Sequence, residues 1–144
     1  MTETASPTEP DPADHGLDAL VDAWLPLPDV AEQLGIDVGK VRRLLQDGAL
    51  LAVRRGERRI LSVPELLLIE VDGRMQPLPE LKGTISVLAD AGYDAAESLR
   101  WLFTPDESLS WLVTSGGSLP GTPVEALRAG HKTEIRRRAQ ALAF

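Results

Sequence analysis

"LPDVAEQLGIDVGKVRRLLQDGALLAVRRGERRILSVPELL", residues 27–67, decides the fold. Its first part reads as two short helices. Pro28 suits the first turn of a helix, and Asp29 and Glu32 favour its positive end. Val30, Ala31 and Leu34 share one face. Gly35 then stands where a C-cap glycine belongs. Asp37 reads as the N-cap of a second helix, Val38 to Asp47, which Gly48 ends. Val38, Val41, Leu44 and Leu45 form its apolar stripe. Lys40, Arg43 and Gln46 take the opposite face, with Arg42 beside them. Two short helices joined by a tight glycine-bearing turn are a helix-turn-helix signature, whose second helix is the recognition helix.

The rest of the stretch, "LLAVRRGERRILSV", predicts a β-hairpin. Its arms are Leu51 to Arg54 and Arg59 to Ser62, and Arg55-Gly56-Glu57-Arg58 is the tip. Ser62-Val63-Pro64-Glu65 has the form of a capping box and predicts a third helix over "PELLLIEV". Outward on the N-terminal side, Leu20, Val21, Trp24, Leu25 and Leu27 predict a packed arm. Residues 1–18 are rich in Pro, Thr, Ser, Asp and Glu, have little to bury, and read as a disordered acidic tail. On the other side, "DGRMQPLP", residues 72–79, reads as a linker. Beyond it Leu81, Ile85, Leu88 and Ala89 stripe one helix. Asp94-Ala95-Ala96-Glu97, Thr104-Pro105-Asp106-Glu107 and Thr122-Pro123-Val124-Glu125 predict three helix starts. The last helix has Ile135, Ala139 and Leu142 on one side and Arg136, Arg137 and Arg138 around the other. The expected class is mostly α with a small β-hairpin wing. The expected units are the tail, a winged helix-turn-helix at 19–73 and an α-helical C-terminal domain at 74–144.

Charge is distributed unevenly. The chain of 144 residues carries a net charge of −7. Residues 1–32 hold eight acids and no Lys or Arg, residues 33–64 hold seven bases and three acids, and residues 65–144 hold eight bases and eleven acids. A basic block between two acidic ones points to a polyanion partner. Arg54, Arg55, Arg58 and Arg59 repel one another on one turn unless phosphates neutralise them, and Gly56 lets the tip turn sharply. A run of charge is also a common way to keep a sheet edge solvated. The neighbouring recognition helix, with Lys40, Arg42, Arg43 and Gln46 outward, favours phosphate and base contacts instead. Arg42 has a second reading, an ion pair with Asp47 or Glu32. Arg136, Arg137 and Arg138 read mainly as a solvated helix face and secondarily as extra phosphate contacts.

Other functions find little support. With no cysteine, disulfides, cysteine metal sites and thiol catalysis are excluded. His15 and His131 stand alone, and no phosphate-loop, zinc-protease or nucleophile-elbow motif occurs. The expectation is a non-enzyme with no cofactor and no metal. The chain lacks a signal-peptide pattern and a membrane-length apolar run, so a cytoplasmic protein is expected. Trp101, Leu102, Phe103 and Trp111 have two readings, core or a homodimer interface, and core is favoured.

The stretch 27–67 resembles the winged helix-turn-helix of excisionase and MerR-type DNA-binding domains, through "LGI" at the turn and "VRRLLQDGALLAVRRG" after it. Residues 24–144 more closely resemble an actinobacterial family of small DNA-binding proteins. These join such a winged domain to a helical domain carrying "LRWLFTPDESL", "PVEAL" and "RRRAQALAF". The resemblance implies double-stranded DNA as partner, bound through the second helix and wing, and a transcriptional regulator or nucleoid-associated factor. It also implies an N-terminus open to a Ser/Thr protein kinase, and Thr8 is the preferred site among Thr2, Thr4, Ser6 and Thr8. The wing is more arginine-rich than the family pattern requires. A weaker likeness of "TPDESL" and "GTPVEALRAG" to toxin-binding regions of antitoxins leaves a protein-interaction adaptor as the alternative.

Overall fold

The computed structural model describes residues 16–109 and 121–143. Its N-terminal half is built on a three-stranded antiparallel sheet. Helix α1, Leu17–Leu20, is one turn long and fully buries Leu17. Strand β1, Trp24–Pro26, follows, then α2, Leu27–Leu34, and α3, Val38–Gln46. Strands β2, Val53–Arg55, and β3, Ile60–Pro64, complete the sheet in the order β1-β3-β2. The expected N-terminal arm is therefore the third strand, pairing Trp24 with Pro64 and Leu25 with Val63.

The local signals of the helix-turn-helix behave as their chemistry requires. Gly35 takes a φ of 70°, and the Ile36 N–H reaches back to the Ala31 carbonyl at 3.0 Å, closing α2 with a Schellman bond. The Asp37 carboxylate then accepts from the Lys40 N–H at 2.8 Å and starts α3. Val41 is completely buried, with Val38, Leu44 and Leu45 half-buried beside it.

Three expectations are corrected. The hairpin tip is Gly56 to Arg59, one residue later than expected, because Arg55 pairs with Ile60 in the ladder. "PELLLIEV" is not a helix. Ser62 donates to the Ile60 carbonyl and caps nothing, and only Glu65–Leu67 makes a single 3₁₀ turn. Strands β4, Leu68–Val71, and β5, Arg74–Pro77, then form a second hairpin where a linker was expected. Asp72 at φ 54° and Gly73 at φ 80° supply the two positive φ values of a type I′ turn. Ile69 and Val71, β-branched, favour the extended form over a helix.

The C-terminal half contains α4, Leu81–Asp90, α5, Ala95–Phe103, α6, Pro123–Arg128, and α7, Lys132–Ala141. The Asp94–Glu97 and Thr122–Glu125 capping boxes form with both reciprocal bonds. The third expected box does not. The Thr104 hydroxyl donates to the Arg100 carbonyl, and Asp106 instead accepts from the Ser108 N–H and hydroxyl at the 3₁₀ turn Glu107–Leu109. In α4 the stripe is Leu81, Thr84, Ile85 and Leu88, with Ala89 exposed. In α7 Leu142, expected inside, is exposed.

One continuous core joins the halves. It runs from Leu17, Val30, Val41 and Val63 to Leu88, Leu99, Leu102 and Ile135, all fully buried. The Arg128 Nη1 of α6 donates to the carbonyls of Leu66 at 2.9 Å and Leu68 at 2.6 Å. The expected domain boundary at 73/74 falls inside the β4–β5 turn, and the expected end of the tail at residue 18 falls inside α1. Among the described residues, no helix is long and apolar enough to cross a membrane.

Candidate nucleic-acid interface

The rotation of α3 is set by Val41, which points into the core. At 100° per residue, this turns Lys40, Arg43 and Gln46 outward. Lys40, Arg42, Arg43 and Gln46 are all exposed. Among the described residues no carboxylate pairs with Lys40, Arg42 or Arg43, so the alternative pairing of Arg42 with Asp47 or Glu32 is absent. The nearby Asp37 is occupied by the backbone of the helix it starts.

In the wing, strand alternation separates neighbouring arginines. The register places Arg55, Val53, Ser62, Pro64 and Trp24 on one face of the sheet. Arg54, Leu61, Val63 and Leu25 lie on the other. Arg54 is exposed, and its Nη1 donates to the Arg59 carbonyl at 3.0 Å, across a tip in which Arg59 has a φ of 54°. Gly56, Arg58 and Arg59 are exposed at that tip. Arg55 faces inward. Its guanidinium lies 4.2 Å from the centre of the Trp24 ring and pairs with Asp18 of α1, leaving its side chain only 19% exposed.

The wing arginines therefore divide by task. Arg54 and Arg58 present cations outward, and Arg59 is exposed at the tip. Arg55 ties the root of the wing to β1 and α1, where an aromatic face and a carboxylate both stabilise a half-buried cation. Sequence reasoning grouped Arg55 with the others and assigned Asp18 to the tail. The period-2 alternation of β2 was the signal that separates Arg55 from Arg54.

The remaining sites fall elsewhere. Arg136, Arg137 and Arg138 meet the carboxylates of Glu80 and Glu134, and Arg138 also meets Asp106. Hydrogen bonds from the Ser108 hydroxyl and N–H, with Arg138 nearby, hold the Asp106 carboxyl below its ordinary value. Leu102 and Phe103 are core residues, and Trp101 is half-buried against them. Thr8 and Trp111 lie outside the described residues. Among the described residues, no cluster of His, Asp and Glu could hold a metal ion.

A packed pair of short helices whose second member is exposed and basic, followed by an arginine-tipped hairpin, defines a winged helix-turn-helix protein, here fused to a helical C-terminal half. Residues 11–68 match the family described as "DNA-binding protein Rv2175c, wHTH domain". Residues 78–143 match the "Rv2175c C-terminal domain of unknown function". The chain is 41% identical over 122 residues to "DNA-binding protein Rv2175c" of Mycobacterium tuberculosis (strain ATCC 25618 / H37Rv), covering 82% of this chain and 79% of that protein. The fold is similar to the NMR structure of Rv2175c, with a TM-score of 0.71 and 37% identity over 99% of this chain and 87% of the other. The chain belongs to the Rv2175c family.

Proposed function

We propose that this protein binds double-stranded DNA as a transcriptional regulator or nucleoid-associated factor of the cytoplasm. Helix α3 enters the major groove, where Arg42, Arg43, Lys40 and Gln46 meet base edges and phosphates. Arg54, Arg58 and Arg59 meet the adjacent backbone, with Gly56 allowing the tip to approach. The observation that carries this reading is the exposure of Lys40, Arg42, Arg43, Arg54, Arg58 and Arg59 on one helix and one hairpin of a chain whose net charge is −7. The name of its relative supports the same reading.

Fluorescence anisotropy with a duplex at several salt concentrations tests it. Neutralising about six phosphates gives a log–log salt slope of about −5. Absence of binding at low salt would sink the proposal. Phosphorylation of Thr8 by a Ser/Thr protein kinase is proposed as its control, because a phosphate adds close to two negative charges and competes with DNA for the basic face. Thr8→Glu should weaken binding, and an unchanged titration removes this part alone. A homodimer through the C-terminal half would present two α3 helices to successive major grooves.

A further inference from the structure

The arginine run of α7 does not act as a unit. Arg138 turns inward, its Nε donating to Glu134 at 2.8 Å and its Nη1 to the Ser108 hydroxyl at 2.7 Å. Lys132 takes its place on the outer side. Lys132 and Arg136 stand one turn apart and both reach the carboxylate of Glu80 at 3.4 Å. Together with Thr133, Arg137 and Gln140 they line an open cleft of about 300 Å³. Its walls hold three cations, one carboxylate, one hydroxyl and one amide, with no apolar side chain.

Two features make this arrangement specific. Glu80 precedes α4 at a φ of 72°, a left-handed conformation that a residue with a β-carbon adopts at a cost. Gly83, one turn on, leaves the space in which the Arg136 guanidinium lies, and a β-carbon there would collide with it. Yet the pairs the cleft contains are weak. Both bonds to Glu80 are long, and the side chains of Lys132, Arg136 and Arg137 are 59%, 45% and 71% exposed. Several N–H donors share one carboxylate, so most of their capacity is directed at solvent.

We propose that this cleft is a second phosphate-binding surface, through which the C-terminal half grips the sugar–phosphate backbone of a DNA duplex. Glu80 is its internal counter-anion, holding Lys132 and Arg136 in place until a phosphate displaces it. A polar, donor-rich cleft without an apolar anchor fits a nucleic-acid backbone, whereas protein interfaces carry an apolar centre. The inference rests on the DNA-binding reading above.

The test uses the full chain, a duplex of about 20 base pairs spanning two turns, and two variants. Lys132→Ala/Arg136→Ala/Arg137→Ala should lose about tenfold in affinity near 0.1 M salt and flatten the salt slope by about 2 to 3. Glu80→Gln should act in the opposite direction and tighten binding. Amide NMR shifts at Thr133, Arg136 and Gln140 should accompany those of α3 on adding duplex, and should be absent with polyglutamate. An unchanged slope in the triple variant, or duplex shifts confined to α3 and the wing, overturns the cleft and leaves the DNA reading intact. No shift in either region removes both. Shifts at α7 with polyglutamate, without any effect of the variants on DNA, would assign the cleft to an acidic protein instead. Should the triple variant fold poorly, the opposite sign expected of Glu80→Gln decides the matter.

Discussion

The wing and α7 carry arginine clusters that look alike as text. "RRGERR" and "RRR" differ in what the fold brings to them. In α7, each arginine meets a carboxylate: Arg136 meets Glu80, Arg137 meets Glu134, and Arg138 meets both Glu134 and Asp106. In the wing Arg55 is drawn inward, by Asp18 and Trp24. Strand alternation sends Arg54 to the opposite face, and the tip carries Arg58 and Arg59 beyond the sheet. Local density of charge in the sequence thus says little about how firmly a cation is held: Arg55 and Arg138 are fixed by their partners, whereas Arg136 and Arg137 keep weak, exposed pairs. The elements packed alongside decide it.

The largest expected effect breaks the outward set. Arg42→Ala/Arg43→Ala/Arg54→Ala/Arg58→Ala should weaken DNA binding a hundredfold or more and flatten the salt slope by about 3 to 4, read by anisotropy. A loss of affinity with no change in slope would show that these arginines do not meet phosphates.

The inward arginine should behave differently. Arg55→Ala removes an ion pair and a cation–π contact at a half-buried site and should cost about 1 to 2 kcal/mol in denaturant unfolding. Its salt slope should stay close to the wild type's, changing by far less than the roughly 0.9 that the loss of one phosphate contact removes. A slope change as large as that of a tip arginine would return Arg55 to the phosphate-binding set.

The smallest effect concerns α7. The Asp106 carboxyl is held below its ordinary value, first by the Ser108 bonds and then by Arg138. A depressed carboxyl contributes stability above its unfolded pKa, and that stability is lost as pH falls through the folded value. Asp106→Asn should therefore be slightly less stable than wild type at pH 7. The difference should close below about pH 4, the ordinary carboxyl range. Thermal melts across this range check the sign, and a gap that widens on acidification contradicts it.

The helix-turn-helix was legible because its signals are local. A proline, a glycine, an aspartate and an apolar stripe lie within twenty residues and agree with one another. The second hairpin was missed for the opposite reason. "LLLIEV" gives no clear period, and the capping-like Ser62 and Glu65 suggested a helix, although Asp72-Gly73 marks a two-residue hairpin turn. At the candidate interface, α3 was read correctly in register because burial of Val41 fixes it. The fate of Arg55 was not legible in the wing itself. Its partners Trp24 and Asp18 lie in strand β1 and helix α1, brought close only when the sheet forms. Lys132 and Glu80 escaped for the same reason, being separated in the chain by α4, α5 and α6.

The β4–β5 hairpin has a consequence for how such proteins can be recombined. Residues 11–68 and 78–143 match separate family descriptions, and nearly all of the hairpin lies between them. The carbonyls of Leu66 and Leu68 are gripped by Arg128 from the far half. A chimera that exchanges one half for that of a relative must carry this ribbon and a matching guanidinium along with it. A cut at residue 68 would strip β4 of its partner strand and leave a naked edge open to intermolecular pairing.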